Sequence, residues 1–335
     1  MIDHRKALDI LSASDARRAA RRQFLKVAGG GTLAIGGASL LSGCFDSEDK
    51  DVPAPTPTPT PAPPAVTDAD ILNLALNLEY LEAQFYLFAV NGVGLSASMT
   101  ASGSGTAGGT VTGGAKVDFS GDPLVGAYAR EIAADEAAHV AFLRVALGSA
   151  AIAMPNINIS GDATGAFTAA ARAAGVVGAN DTFNPYSSPE NFLLGAYIFE
   201  DVGVTAYKGA APLLSSKLFL EAAAGILAAE AYHAGLVRTV LYAKGVATPA
   251  LITATTRISD ARDTLDQGGD TDQGLVMGGN ANLVPTDSDA IVYSRNSRQV
   301  HNIVYLNATG ANLNGGGFFP NGTNNANPTL RVGLP

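Results

Sequence analysis

Apolar residues at helical spacing mark four long segments of the chain. They recur every three or four positions over 68–90, 124–147, 189–208 and 216–244, the pattern of a helix with one buried face. Capping signals support these bounds, because Thr67 or Asp68, Asp122, Ser188, and Ser215 or Ser216 stand at the starts. Pro123 and Pro189 follow their caps at the first helical position, and Gly148 and Gly245 are expected stops. The sequence therefore predicts four long helices.

The connections between these helices predict their topology. Only a few residues join the third helix to the fourth, whereas residues 149–187 separate the second from the third. Within that connection we predict a short helix, 163–174, capped by Asp162. One long crossover after the second helix is typical of ferritin-like bundles. We therefore predict a mainly α fold, a ferritin-like four-helix bundle over residues 67–248.

Two further regions flank or interrupt the bundle. Residues 92–121 are rich in Gly, Ser and Thr and predict a low-complexity surface insertion. Residues 249–335 predict a C-terminal extension with a helix at 255–265 and otherwise mostly irregular structure packed on the bundle. Within it, Gly315, Gly316 and Gly317 are expected to form a turn and not a phosphate loop, since no strand precedes them and no helix follows.

Residues 1–43 have the character of an export signal. Arg21 and Arg22 precede Phe24-Leu25-Lys26 and a weakly apolar stretch too short to span a membrane, a pattern that resembles the twin-arginine signal. This resemblance implies the twin-arginine translocase as a partner and export of the folded protein. The alternative is a basic amphipathic N-terminus lying on a membrane, which the many glycines disfavour.

Residues 44–66 predict a lipidated tether. Leu41-Ser42-Gly43-Cys44 resembles a bacterial lipobox, and Cys44 is the single cysteine. The alternating Pro, Thr and Ala of 52–65 favour an extended polyproline II spacer. We expect a lipid anchor on the periplasmic side of the envelope, with Phe45 favouring the outer membrane. The alternative is an ordinary cleavage site with an uninvolved cysteine.

Composition and charge exclude several classes of protein. One cysteine rules out a disulfide scaffold and a four-cysteine zinc site. A formal net charge of −9 argues against nucleic acid as a partner. The hydrophobic fraction of 47% is sufficient for a buried core.

Two short motifs suggest a metal site. Glu136-x-x-His139 in the second helix and Glu230-x-x-His233 in the fourth each place a carboxylate and an imidazole on one helix face. The first and third helices offer Glu79 and Glu200 within apolar runs, where a charge is costly unless it is paired or binds metal. Such a set matches the dinuclear carboxylate site of helix bundles. The alternative is a set of solvated charges.

The two halves of the bundle repeat one pattern. Tyr86 follows Glu79 by seven residues, and Tyr207 follows Glu200 by the same interval, so each tyrosine shares a face with its glutamate. Each tyrosine either contacts a glutamate of the site or packs in the core, and the sequence does not distinguish these two alternatives. The repetition indicates a duplicated helix hairpin with pseudo-twofold symmetry.

With these residues in place, the chain resembles the ferritin-like superfamily, in particular its desiccation-related branch. The segment Asn77–Tyr86, NLEYLEAQFY, resembles the first helix of that family, and residues 299–305 and 316–322 resemble its C-terminus. The resemblance implies that Glu79 and Glu200 are terminal ligands, that Glu136 and Glu230 bridge two metals, and that His139 and His233 bind one metal each. It also implies that Asp135 orients His233 from the outer shell of the site, while Ala229 stands at the equivalent position for His139. Glu82 and Asp201 are substitute ligands or paired charges.

This donor set suits two iron ions, or alternatively manganese. We expect iron oxidation or removal of peroxide or O₂ in stress protection. The alternatives are a non-enzymatic desiccation and envelope protein with a relic site, and dimanganese catalase activity. The sequence leaves the oligomeric state open, with a homodimer as one arrangement.

Overall fold

The computed structural model describes residues 65–308 and 314–332 of the chain. Arg21, Arg22, Cys44 and the tether up to residue 64 lie outside the described residues. Among the helices of the described residues, none is long and apolar enough to cross a membrane.

Four long helices form the bundle, as the sequence predicts. They are α1 (Asp68–Asn91), α3 (Pro123–Leu147), α5 (Pro189–Ala210) and α6 (Lys217–Ala247), and a short helix α2 (Ala97–Thr100) follows α1. The side chains of Thr67, Asp122, Ser188 and Ser216 accept backbone N–H groups at their helix starts. α1 packs along α3 and α5 packs along α6, so the bundle consists of two helix hairpins.

The crossover between the hairpins contains strand β2 (Ile157–Ile159) and helix α4 (Ala166–Ala173). Helix α4 begins three residues later than predicted. The cause is that Asp162 accepts the N–H of Thr164 in a local turn, so that Gly165 and not Asp162 is the N-cap. Phe167 of α4 packs its ring against Phe85 and Phe199, which fixes the crossover on the bundle core.

Residues 92–121 lie mostly at the surface, as predicted, with only Thr100 and Val117 buried, but backbone hydrogen bonds hold the segment on the bundle. Strand β1 (Val111–Gly113) pairs in parallel with β2, with Val111 opposite Ile157. The N–H of the buried Val117 donates to the carbonyl of Ala89 at 2.8 Å. Glycines allow this packing, since a Cβ at Gly114 would lie 2.6 Å from the Phe88 ring.

The fourth long helix runs past its predicted stop. Gly245 lies inside α6, which ends at Ala247 before helix α7 (Pro249–Asp266). A Cβ at Gly245 would lie 2.5 Å from Cδ1 of Ile252, so this glycine serves the close packing of α7 and not helix termination. α7 also begins earlier than the predicted Thr255, because Pro249 occupies its first turn.

The C-terminal extension is mostly irregular and packs on the bundle, as predicted. After α7 it contains the short hairpin β3 (Val276–Met277) and β4 (Asn280–Ala281), helix α8 (Ser297–Val304) and helix α9 (Pro328–Val332). The ring of Phe318 contacts Phe167 and Phe199 in the core. Gly316 and Phe319 pair across a tight turn, which confirms the prediction for the glycine run.

Candidate metal centre

The bundle brings the six predicted donor side chains together in its interior. Glutamates from all four long helices meet there: Glu79 on α1, Glu136 on α3, Glu200 on α5 and Glu230 on α6 are at most 1% exposed. His139 and His233 lie one turn beyond Glu136 and Glu230, and their side chains are 13% and 5% exposed. Because each Glu-x-x-His pair is local to one helix, packing of the two hairpins is enough to assemble the cluster.

The donor atoms fall into two groups that share Glu230. One group comprises Glu79, Glu136, His139 and Glu230, and the other comprises Glu200, Glu230 and His233; the ligand atoms within each group lie within 4.8 Å of one another. Two groups with a common carboxylate are the arrangement expected of a dinuclear centre.

Glu136 lies between the two histidines. Its Oε1 is 3.1 Å from Nδ1 of His233, and its Oε2 is 3.9 Å from Nδ1 of His139. Nδ1 of His139 is also 3.2 Å from Oε2 of Glu79 and 3.5 Å from Oε1 of Glu230. Both imidazoles therefore direct Nδ1 into the cluster of carboxylates.

Several buried polar atoms of this cluster have no hydrogen-bond partner of acceptable geometry among the described residues. Such atoms are costly to bury unless something else satisfies them. A cation is the group that carboxylate oxygens and an imidazole lone pair would all accept, so the donor set fits bound metal. The atoms are Glu136 Oε1 and Oε2, Glu200 Oε2, Glu230 Oε1 and Oε2, and His233 Nδ1.

The electrostatics of the metal-free cluster agree with this reading. Burial, together with the negative charge of Glu230, raises the pKa of Glu136 and of Glu200 well above the usual carboxyl value. Burial alone would lower the pKa of His139, but contacts with Glu230 and Glu79 outweigh it and raise the pKa to about 10. Ionisation of all these carboxylates together is therefore unfavourable, and a bound cation would supply the positive charge that favours it.

The two predicted tyrosines contact the cluster across the bundle. The hydroxyl of Tyr86 on α1 donates to Oε1 of Glu200 on α5, and the hydroxyl of Tyr207 on α5 donates to Oε1 of Glu79 on α1. Each tyrosine thus binds the glutamate of the opposite helix and not its own. Because only Oε1 is used, the second oxygen of each of these glutamates stays directed at the cluster.

Asp135 supports one histidine only. Its Oδ2 lies 3.1 Å from Nε2 of His233, a contact that holds the proton on Nε2 and leaves the Nδ1 lone pair for a metal. The equivalent position on α6 is Ala229, which offers no such group to His139. The two halves of the centre are therefore chemically unequal.

Asp201, a sequence candidate for a substitute ligand, is engaged elsewhere. Its Oδ2 accepts from Arg238 at 2.7 Å and from Arg262 at 2.9 Å. Arg262 also pairs with Asp272, which in turn accepts from Arg295 at 2.6 Å. This buried network joins α5 and α6 to the C-terminal extension; its six charged members are Asp201, Arg238, Arg262, Asp266, Asp272 and Arg295. Sequence reasoning missed it, because its members are up to 94 positions apart in the chain.

An apolar cavity of about 220 Å³ lies at the end of the bundle formed by the start of α1 and the end of α5. Leu78 and Tyr207 line it, and none of the six donor residues does. Its link to the cluster is therefore the hydrogen bond from Tyr207 to Glu79.

A four-helix bundle that converges two Glu-x-x-His pairs and two further glutamates defines the carboxylate-bundle class of proteins. The family model for the ferritin-like domain matches residues 67–243, and the chain belongs to this family.

Two curated relatives extend this assignment. The chain is similar to the ferritin-like catalase Nec2 of Nesocodon mauritianus, with 29% identity over 77% of this chain and 83% of the relative. It is also similar to the desiccation-related protein PCC13-62 of Craterostigma plantagineum, with 29% identity over 63% of this chain and 66% of the relative. No solved structure shows a significant match to the chain.

Proposed function

We propose that this protein holds two iron ions, with manganese as the alternative, and that the metal pair removes hydrogen peroxide in a stress-protective role at the cell envelope. The observation that carries the proposal is the set of buried donor atoms without hydrogen-bond partners, which converge from all four bundle helices. Hard carboxylate oxygens with two imidazoles suit iron or manganese and offer no thiolate for copper(I).

The side chains would divide between terminal and bridging roles. Glu230 belongs to both donor groups, and the two oxygens of Glu136 face different histidines, so these two glutamates are suited to bridging. Glu79 and Glu200 each have one oxygen held by a tyrosine and are suited to terminal positions. His139 and His233 would bind one metal each through Nδ1.

The bound metal pair would supply two-electron redox chemistry at the O–O bond. The chain's own residues would hold the ligands in fixed orientations and limit contact with water. Tyr86 and Tyr207 hold the terminal carboxylates in place, and Asp135 keeps the proton of His233 on Nε2. Burial of the glutamates limits the access of bulk water to the centre.

Disproportionation of peroxide is the activity favoured over the others. It converts two molecules of hydrogen peroxide to O₂ and two of water and needs no external reductant. The relative named a ferritin-like catalase, aligned over 83% of its own length, supports this choice. Oxidation of ferrous iron is the second candidate, since the same donor set suits Fe(II).

The test measures metal content and peroxide-dependent O₂ release for the wild type and for Glu136→Gln/Glu230→Gln. The matched control is Glu131→Gln, an exposed glutamate on α3. We expect about two metal ions per chain and O₂ release in the wild type and the control, and loss of both in the double variant. Oxidation of added Fe(II) without O₂ release would favour the second candidate. A folded wild type without metal would refute both and favour the non-enzymatic protective role.

We also propose export through the twin-arginine route and lipid anchoring at Cys44, on the motifs described above. Export of a folded chain would allow the metal to be selected in the cytoplasm. Replacing Arg21 and Arg22 by Lys should retain the protein inside the cell, and Cys44→Ser should release it from the membrane fraction. Unchanged fractionation of either variant would refute the corresponding step.

A further inference from the structure

His139 is the most exposed of the six donor residues. Its side chain is 13% exposed, whereas that of His233 is 5% exposed and those of the four glutamates are at most 2% exposed. Nδ1 of His139 faces the carboxylates. Nε2 makes no hydrogen bond among the described residues, and it is not one of the buried atoms that lack a partner. Solvent therefore reaches this imidazole at its Nε2 edge, on the side away from the cluster.

The equivalent edge of His233 is covered. Oδ2 of Asp135 lies 3.1 Å from Nε2 of His233. Asp135 and Ala229 each directly precede the glutamate of a Glu-x-x-His pair, so the pseudo-twofold symmetry of the bundle places Ala229 beside the Nε2 edge of His139. A methyl group is shorter than a carboxylate side chain and leaves that edge open. The gap at His139 therefore follows from the small side chain at position 229.

The side of the bundle formed by α1 and α5 is closed by the C-terminal extension. Ile303 of α8 and Phe318 line a cavity of only about 10 Å³ together with Glu82 of α1 and Val202 of α5. Glu82 is 5% exposed, although it is a carboxylate. The described residues therefore leave solvent little access to the centre from this side.

The side formed by α3 and α6 is open. Ala138 and Tyr232, which directly precede the two histidines, are exposed, and so is Ala228 on α6. His139 lies on this side, one position after Ala138. A molecule that arrives from solvent therefore meets the donor set first at His139.

The apolar cavity of about 220 Å³ is a poorer route to the centre. Its lining is mostly apolar, and a hydrated cation or hydrogen peroxide would lose hydrogen bonds on entering it. Tyr207 lies between this cavity and Glu79, because its side chain lines the cavity and its hydroxyl donates to the carboxylate. Passage would require the buried phenol to move and break that hydrogen bond.

We infer that the gap beside His139 is the entrance through which metal ions and then hydrogen peroxide reach the centre, and that Ala229 sets its width. This role rests on the proposed function, because it assumes that the cluster binds metal. Ala229 carries no donor atom in its side chain, so it controls access and is not a ligand. An entrance is passed in both directions. Narrowing it should therefore slow binding and release by the same factor and leave the equilibrium affinity unchanged.

The experiment measures the rate constants of Mn²⁺ binding and release by stopped flow in the full-length metal-free protein, and the affinity by calorimetry. The variant is Ala229→Leu, which fills the gap with another strong helix former, and the control is Ala228→Leu at the exposed neighbouring position. We expect both rate constants to be at least about tenfold smaller in Ala229→Leu, with the same Kd as the wild type. The kcat/KM of the loaded variant for hydrogen peroxide should fall as well, and the control should match the wild type.

The outcomes separate the entrance from the proposed function. Unchanged rate constants in Ala229→Leu, or equal slowing in Ala228→Leu, would overturn the entrance and leave the metal centre intact. Slowing in Ala75→Leu, which fills the apolar cavity, without slowing in Ala229→Leu would place the entrance at that cavity instead. An unchanged kcat/KM would overturn the route for peroxide.

Two further results complete the test. A folded wild type that binds neither Mn²⁺ nor Fe²⁺ would overturn both the entrance and the proposed function. Should Ala229→Leu fail to fold, Ala229→Gly provides the opposite change, since it widens the gap and should increase both rate constants. Unchanged rate constants in Ala229→Gly would equally refute the entrance.

Discussion

The hydroxyl of Tyr207 on α5 donates a hydrogen bond to Oε1 of Glu79 on α1, across the bundle axis. Both groups are buried, and Oε2 of the same glutamate lies 3.2 Å from Nδ1 of His139. The tyrosine therefore selects which oxygen of Glu79 faces the cluster. The same relationship holds between Tyr86 and Glu200, so each hairpin orients a buried carboxylate of the other.

Removing one of these hydroxyls should loosen a ligand without removing it. Tyr207→Phe leaves Oε1 of Glu79 without its donor, so the carboxylate is no longer held in one orientation. We expect Mn²⁺ to bind about 10- to 100-fold more weakly, as is usual when an outer-shell partner of a ligand is lost. Calorimetric titration measures this, with Tyr232→Phe, 79% exposed, as the control. Equal affinities for Tyr207→Phe and the control would show that the hydroxyl has no orienting role.

Ala229 offers a way to make the two halves of the centre equal. Asp135 precedes Glu136 and contacts His233, whereas Ala229 precedes Glu230 at the equivalent position. Ala229→Asp should place a carboxylate near Nε2 of His139. We expect the metal ion bound by His139 to bind about tenfold more tightly as a result.

Ala228→Asp is the matched control for this gain, since it adds the same charge at an exposed position next in sequence. Binding curves for both variants distinguish a local effect on His139 from general attraction of cations. An equal increase in metal affinity in both variants would show that the difference between Asp135 and Ala229 does not determine how tightly each metal binds.

The buried network should matter for stability more than for metal binding. Arg262 joins Asp201 to Asp272 and lies over the ring of Tyr197, with 4.8 Å from its guanidinium carbon to the ring centroid. Arg262→Met would remove one of the two arginines that contact each of Asp201 and Asp272, at a cost of up to roughly 3–5 kcal/mol in the free energy of unfolding. Urea unfolding measures this cost, and the exposed Arg257→Met is the control. A loss as small as that of the control would mean that the network contributes little.

Local patterns predict the helices and the six side chains that the bundle brings together, whereas long-range relationships do not emerge from the sequence. The Glu-x-x-His pairs and the caps at Asp122 and Ser188 depend on residues a few positions apart, so spacing alone located them. The pairing of Tyr86 with Glu200 depends on how two distant helices cross. Gly245 was misread because a glycine that admits a neighbouring helix has the same sequence signature as a helix stop.

The burial of His301 should make the stability of the folded protein depend on pH. This fully buried histidine on α8 donates from Nδ1 to the carbonyl of Ser297 at 2.6 Å and accepts at Nε2 from the hydroxyl of Thr323 at 2.9 Å. Burial, together with the nearby charge of Arg298, lowers its pKa from 6.5 to about 4. Because the folded pKa is the lower one, the unfolded chain binds the proton more tightly, and stability is lost as the pH falls from 6.5 through 4.

The contribution of His301 over this range is about 3 kcal/mol in the free energy of unfolding. Carboxylates titrate in the same range, so the informative quantity is the difference between the wild type and His301→Gln at each pH. We expect the stability advantage of the wild type to shrink between pH 7 and pH 4.5, because the glutamine has no proton to gain. A constant difference across this range, measured by urea unfolding, would show that folding does not lower the pKa of His301.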